Sequence, residues 1–181
     1  NKSNLTGVIQ DYSYDELKKA DFGRWFSQEF SGEPILRLDE FLSLYGGRVH
    51  LSLEIKATDI EEPLLEEIRR ARLIKDDFMI TAFELTSLIQ IRKLNQTVSL
   101  GYLAGDCKKD TVQICLENGI DAICPRAASL NELDVQYAHN SGLFVRAWGV
   151  ADEELMKKAY NAGVDGMTID FPEKLIEFYY E

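Results

Sequence analysis

The chain has 181 residues, 45% of them hydrophobic and 28% charged, which suits one globular domain with a sizeable core. A formal net charge of −11 argues against nucleic acid and anionic membrane as main partners, because both call for a basic surface. Three cysteines without CxxC spacing give neither a disulfide framework nor a zinc site, two histidines are too few for a histidine-rich metal centre, and no apolar run approaches the ~20 residues of a membrane span.

The chain opens on Asn1 and not on methionine, and Asn1-Lys2-Ser3-Asn4 reads like the middle of a loop, so a fragment or processed form is expected. Asp11 to Ala20 reads as a turn followed by one helical turn. Asp21 to Glu33 is an irregular stretch rich in aromatics (Phe22, Trp25, Phe26, Phe30), and Asp39 to Tyr45 reads as a short helix. Residues 1–48 are expected to form an insertion capping one end of a sheet.

From residue 49 strand-like and helix-like segments alternate, with strands expected at 49–56, 77–83, 98–103, 121–125, 143–150 and 166–170. In the first, Leu51, Leu53 and Ile55 point one way and Ser52, Glu54 and Lys56 the other. In an open antiparallel sheet the polar side simply faces water. In a parallel barrel it points into the lumen, at the strand end where barrel enzymes place their chemistry. Asp59 to Ile74 has a helical apolar face (Ile60, Leu64, Leu65, Ile68, Ala71), with Pro63 tolerated in the first turn. Ser129-Leu130-Asn131-Glu132 reads as a capping box, and Asp152 as the cap of the following helix.

Three helix exits resemble one another: Asn118-Gly119-Ile120-Asp121, Asn140-Ser141-Gly142-Leu143 and Asn161-Ala162-Gly163-Val164-Asp165. Each places Gly where a helix ends in a left-handed residue and a strand begins. Regular βα alternation with short connections means a parallel sheet. With no Pro- or Ser-rich linker, residues 1–181 read as a single domain, 49–181 forming the repeated βα units. An eight-stranded barrel typically runs to ~250 residues, so six units are expected to be a (β/α)8 barrel lacking its first two strands. The alternative is a complete, open doubly wound sheet, but no Gly-rich phosphate loop follows any strand.

Glu54 and Lys56 form the first candidate constellation. In a lumen, Glu54 offers hard carboxylate oxygen to a divalent cation and Lys56 neutralises a phosphate oxygen. On an outer face the pair is a weak solvated ion pair, and the pattern leaves both readings open. Trp148 points inward near the end of its strand, where an apolar substrate wall or simple packing is expected. Arg146 lies deeper, with a structural ion pair expected. Asp170, followed by Pro172, reads as a helix cap. His50 lies at the start of a strand, the wrong end of a barrel for chemistry, and His139 on a polar helix surface. The cysteines, Cys107, Cys115 and Cys124, read as small buried residues and not as nucleophiles.

These residues together resemble the glycerophosphodiester phosphodiesterase family. Leu5-Thr6-Gly7-Val8-Ile9-Gln10-Asp11-Tyr12-Ser13-Tyr14-Asp15-Glu16-Leu17 resembles the segment after that family's second catalytic histidine. Asp21-Phe22-Gly23 and the run from Phe30 to Leu42 continue the likeness. Leu53-Glu54-Ile55-Lys56 is similar to the family's "iEiK" strand, Ala147-Trp148-Gly149-Val150-Ala151 to "vWTVN", and Gly163 to Pro172 to "GvDGIiTDrP". Each piece is weak alone; in this order and spacing they are specific.

The resemblance implies a (β/α)8 barrel that hydrolyses glycerophosphodiesters to glycerol 3-phosphate and an alcohol. It implies a divalent cation, Ca²⁺ or Mg²⁺, held by three carboxylates, and two histidines for acid–base work. Glu54 would then be a metal ligand, Lys56 would face the phosphate and Trp148 would line the pocket. The departures are as informative. The family's "HRG", "ExD" and "HD" motifs precede the part matched by Leu5, and neither His50 nor His139 matches a catalytic position. Gly149 and Ala151 replace the Thr and Asn of "WTVN", and Ala82-Phe83 replaces Ser-Phe.

One carboxylate does not make the roughly 6–8 oxygen shell of Ca²⁺. Without imidazoles, nothing evident protonates the leaving alkoxide. The 181 residues alone are therefore expected to be inactive. A non-catalytic barrel remnant and a phosphoinositide phospholipase C-like enzyme are the competing readings. The unpaired edges of a truncated barrel are also expected to bring either self-association or distortion near the first and last strands.

Overall fold

The computed structural model describes residues 2–180; Asn1, and with it the reading of the chain start, lies outside them. The chain divides into two compact units, Asn1–Gly46 and Gly47–Glu181.

The first unit is built on local hydrogen bonds. It holds α1 (Tyr14–Leu17) and α2 (Leu38–Tyr45), with 3₁₀ turns at Ile9–Asp11 and Gln28–Phe30. The Asp21 carboxylate accepts the backbone N–H groups of Gly23 (3.0 Å) and Arg24 (2.9 Å) and folds the aromatic stretch into a turn. Gly23 is required there, because a Cβ would sit 1.9 Å from the Phe30 carbonyl oxygen. Trp25 meets Phe26 edge-on and Phe26 meets Phe30 at a tilt, and Lys2 lies over the Trp25 ring. Glu40 joins α1 to α2 by accepting the Tyr14 hydroxyl at 2.8 Å and the Arg37 backbone N–H at 2.9 Å.

The second unit carries the six strands β1 (Leu51–Ile55), β2 (Phe78–Ala82), β3 (Leu100–Ala104), β4 (Ala122–Pro125), β5 (Phe144–Ala147) and β6 (Gly166–Met167). They form one sheet in sequential order, every neighbouring pair parallel. Helices α3 (Glu61–Arg70), α4 (Leu85–Leu94), α5 (Lys109–Glu117), α6 (Glu132–Asn140), α7 (Glu153–Asn161) and α8 (Pro172–Tyr180) alternate with them. Sequential order with a helical return after each strand is the barrel connection and not a doubly wound one, whose order reverses at a switch point. The sheet curls on itself: Arg146 on β5 donates to the Ser52 hydroxyl on β1 at 2.9 Å across its inner face. This is an incomplete (β/α) barrel with β1 and β6 as its edges.

Edge strand β1 is buried on its helix-facing side alone, whereas β2 and β4 are buried on both faces. Phe78, Ile80 and Ala82 of β2 face the helices, where Leu88 and Ile91 of α4, Val112 of α5, Val135 of α6 and Met156 of α7 are also buried. On the inner face Gly101 packs where nothing larger fits, since a Cβ would lie 2.8 Å from Met79 Sδ and 3.1 Å from Cys124 Sγ. Gly119, Gly142 and Gly163 have φ of +63°, +84° and +82°, the left-handed conformation expected at the three helix exits. After the first and third of these, an aspartate clasps the previous strand. Asp121 Oδ2 accepts the Leu100 N–H at 2.8 Å, and Asp165 Oδ2 accepts the Val145 N–H at 2.8 Å.

Three local expectations need correction. Asn131, not Ser129, caps α6: its side chain accepts the Asp134 N–H at 2.9 Å, and Ser129 instead donates to the Gly105 carbonyl from a separate 3₁₀ turn. Arg146 forms no ion pair among the described residues; its guanidinium donates to the Ser52 hydroxyl and also interacts with Cys124. Helix α8 begins at Pro172, so Phe171 and not Asp170 is the flanking residue, and its carbonyl accepts the Lys174 N–H. The remaining expected cap is present: Asp152 accepts the Leu155 N–H at 2.8 Å.

Candidate functional site

At the C-terminal ends of β1 and β2 lies a cavity of about 300 Å³, lined by Glu54, Lys56, Thr58, Phe83, Glu84 and Ser87 among others. Strand β1 brings Glu54 to it because the two-residue period keeps Ser52, Glu54 and Lys56 on one face while Leu51 and Ile55 are buried on the other. Lys56 Nζ lies 3.1 Å from Glu54 Oε1, with the lysine side chain 76% exposed and the glutamate 31%. A pair that open is weakly held and free to exchange for a ligand anion. The loop that follows bends sharply at Asp59, whose φ is +62°. Aspartate is among the residues that tolerate this conformation.

Phe83 connects this cavity to Trp148. The two rings meet edge-on with centroids 5.0 Å apart. Trp148 is tightly positioned: its indole N–H donates to the Ala104 carbonyl at 2.9 Å, its backbone N–H to Pro125 and its own carbonyl accepts from Ala127. The Arg126 guanidinium lies over the same indole at 5.9 Å. Glu54, Lys56, Phe83, Trp148 and Arg126 thus line one strand end. Arg126 carries no site signal in the sequence, and Phe83 enters it only within the Ala82-Phe83 departure from Ser-Phe. The inward register of Phe83 after Met79 and Thr81 is the signal that could have found it.

The described residues do not by themselves fit a divalent cation. No group of three or more His, Cys, Asp or Glu among them comes together as a metal site, and Glu54 is already paired with Lys56. Neither imidazole is at this end of the sheet. His50 lines a separate cavity of about 480 Å³ at the opposite strand ends, with Ser52, Asp121 and Arg146. His139 Nε2 lies 2.9 Å from Asp165 Oδ2, a structural contact at the base of β6. The three cysteines are buried, and burial pushes Cys107 and Cys115 up to about 12 and Cys124 up to about 11. They remain protonated at neutral pH and are not nucleophiles. No helix is long and apolar enough to cross a membrane among the described residues.

Comparison with known proteins agrees with this geometry. A glycerophosphodiester phosphodiesterase of Caldanaerobacter subterraneus is 28% identical over 180 residues, covering 96% of this chain and 74% of that protein. One of Bacillus altitudinis is 26% identical, covering 97% of this chain and 75% of its own length. Among solved structures, an Oleispira antarctica phosphodiesterase in complex with the product sn-glycerol-3-phosphate superposes with a TM-score of 0.87, at 24% identity over 99% of this chain and 75% of that one. At that identity the superposition speaks for the fold. The sequence matches the model of the glycerophosphoryl diester phosphodiesterase family over residues 2–174. With a parallel barrel sheet and a family match over nearly its whole length, this chain belongs to the glycerophosphoryl diester phosphodiesterase family, a family of phosphoric diester hydrolases.

Proposed function

We propose that the strand-end cavity is the phosphate- and alcohol-contacting part of a glycerophosphodiester hydrolase site. The observation that carries this reading is the placement of Glu54 and Lys56 in one cavity with Phe83, which rests on Trp148. Lys56 supplies positive charge to a phosphate oxygen, an interaction that strengthens as the Glu54 carboxylate is drawn elsewhere. Phe83 and Trp148 form the apolar wall beside it. The substrate is a glycerophosphodiester, and the reaction releases glycerol 3-phosphate and an alcohol.

Glu54 offers one carboxylate to a divalent cation, Ca²⁺ or Mg²⁺, which would supply charge neutralisation when bound. One such ligand does not complete a shell, and no imidazole stands at this end of the sheet to move a proton. The 181 residues alone are therefore inactive in this reading.

The test is hydrolysis of glycerophosphocholine with Ca²⁺ or Mg²⁺, comparing this chain with one extended upstream. Turnover only by the extended form is expected, abolished there by Glu54→Ala. Full activity of the Glu54→Ala form would remove Glu54 from the site, and turnover by the 181 residues would show that the chain needs no further groups.

The free edges of β1 and β6 are also proposed to pair between molecules, since unpaired strand edges template association. Light scattering across a concentration series should show a rising mass; a constant monomer mass would overturn this.

A further inference from the structure

We propose that Arg126 selects the alcohol end of the substrate, favouring polyol alcohols over quaternary ammonium alcohols; this rests on the site reading above. A trimethylammonium group seeks the face of an indole, because the ring quadrupole is negative there. In this site the Trp148 indole is already engaged on two sides. Phe83 meets it edge-on at 5.0 Å, and the Arg126 guanidinium stands over it at 5.9 Å. A choline group would have to displace a cation already in place, with like-charge repulsion added.

The position of Arg126 is fixed by backbone pairing. Its residue bridges to Trp148 in parallel fashion, and its N–H donates to the Ala104 carbonyl at 3.1 Å. The same carbonyl accepts the Trp148 indole N–H, so one peptide oxygen holds both side chains' origins in register. Beside them Gly149 has φ of +69° and no side chain, and a Cβ there would lie 3.7 Å from Arg126 Cγ. The stem of Arg126 therefore runs past bare backbone.

The guanidinium has no carboxylate within ion-pairing distance among the described residues, unlike Lys56, which is paired with Glu54. Its five N–H donors and planar fork are left for ligand oxygens. Glycerol or inositol hydroxyls supply such acceptors; trimethylammonium supplies none.

The experiment follows the indole N–H signal of Trp148 by NMR in the 181-residue chain, assigned by its persistence in Trp25→Phe. It is titrated with glycerol 3-phosphate, glycerophosphoglycerol and glycerophosphocholine. Glycerophosphoglycerol should bind roughly two- to fivefold tighter than glycerophosphocholine, the scale of one exposed cation–π contact. In Arg126→Ala that ratio should fall to one or invert, while Arg126→Lys, which keeps the charge but loses the planar fork of donors, should fall between the two. If all three ligands move the signal but the ratio is the same in wild type and Arg126→Ala, the role of Arg126 is overturned and the site stands. If none of the ligands moves it in folded protein, the site reading falls with it.

Discussion

Phe83, one residue beyond the end of β2, and Trp148, one residue beyond the end of β5, meet with ring planes at 88° and centroids 5.0 Å apart. The contact ties two non-adjacent strands together over the inner face, and half of the Phe83 ring remains in solvent. Replacing Phe83 by Ala should lower stability by about 1–2 kcal/mol, from the lost aromatic pair and part of a side-chain burial. The Trp148 emission should also move to the red as water reaches the ring. Denaturant unfolding and fluorescence of the Phe83→Ala form check both, and an unchanged midpoint with unchanged emission would refute the contact.

Gly101 gives a sharper test of inner-face packing. Its missing side chain is what lets Met79, Thr81 and Cys124 converge, each within about 3 Å of where a Cβ would stand. Gly101→Ala should destabilise by ~1–3 kcal/mol through overpacking. Urea unfolding measures it; a neutral substitution would mean that the sheet yields easily at its centre.

The opposite sign is expected at Arg72. It follows α3 with φ of +58°, and Leu73 N–H closes back on the Ile68 carbonyl in the manner of a glycine-terminated helix. The side chain is exposed and the conformation costs a non-glycine residue. Arg72→Gly should therefore stabilise by about 0.5–1 kcal/mol, read as a raised thermal midpoint. Arg72→Val, which tolerates the left-handed region worst, should lower it.

Acid should loosen the first unit through two carboxylates. The backbone N–H of Arg24, with those of Gly23 and Gly32 and the Ser31 hydroxyl, holds Asp21 below the usual carboxylate range. The backbone N–H of Arg37 and the Tyr14 hydroxyl do the same for Glu40. A depressed carboxyl in the fold stabilises above its unfolded pKa of roughly 4 and loses that contribution as pH falls through the folded value. The indole N–H signal of Trp25 should thus shift below pH ~4, and Asp21→Asn should flatten the dependence while weakening the turn at neutral pH. A Trp25 signal indifferent to acid would contradict it.

Much of the sheet was legible because its signals are local. A left-handed glycine after each helix depends only on backbone sterics, and Gly119, Gly142 and Gly163 all take that conformation. Local competition explains the misread caps: at Ser129 and Asn131 two capping residues stand two apart, and the downstream one wins because Ser129 is engaged by the Gly105 carbonyl. The strand expected over 143–150 ends at Ala147, since Gly149 is not extended. What sequence could not display was the company of Trp148. Phe83 and Arg126 reach it through sheet curvature and register, which are properties of six strands together and not of any one segment.

The paired aspartates give the sheet a grain. Asp121 both donates its N–H to the Leu100 carbonyl and accepts the Leu100 N–H on its side chain, and Asp165 does the same with Val145. A one-residue slip of β4 against β3, or of β6 against β5, would forfeit both bonds at once. Among the described residues no such clasp joins β4 to β5. The β3–β4 and β5–β6 pairs are therefore self-registering two-strand modules within the sheet. A cut in the loop between the β3–β4 and β5–β6 modules leaves both clasps intact, whereas a cut between β3 and β4 leaves Asp121 to find its partner across a chain break.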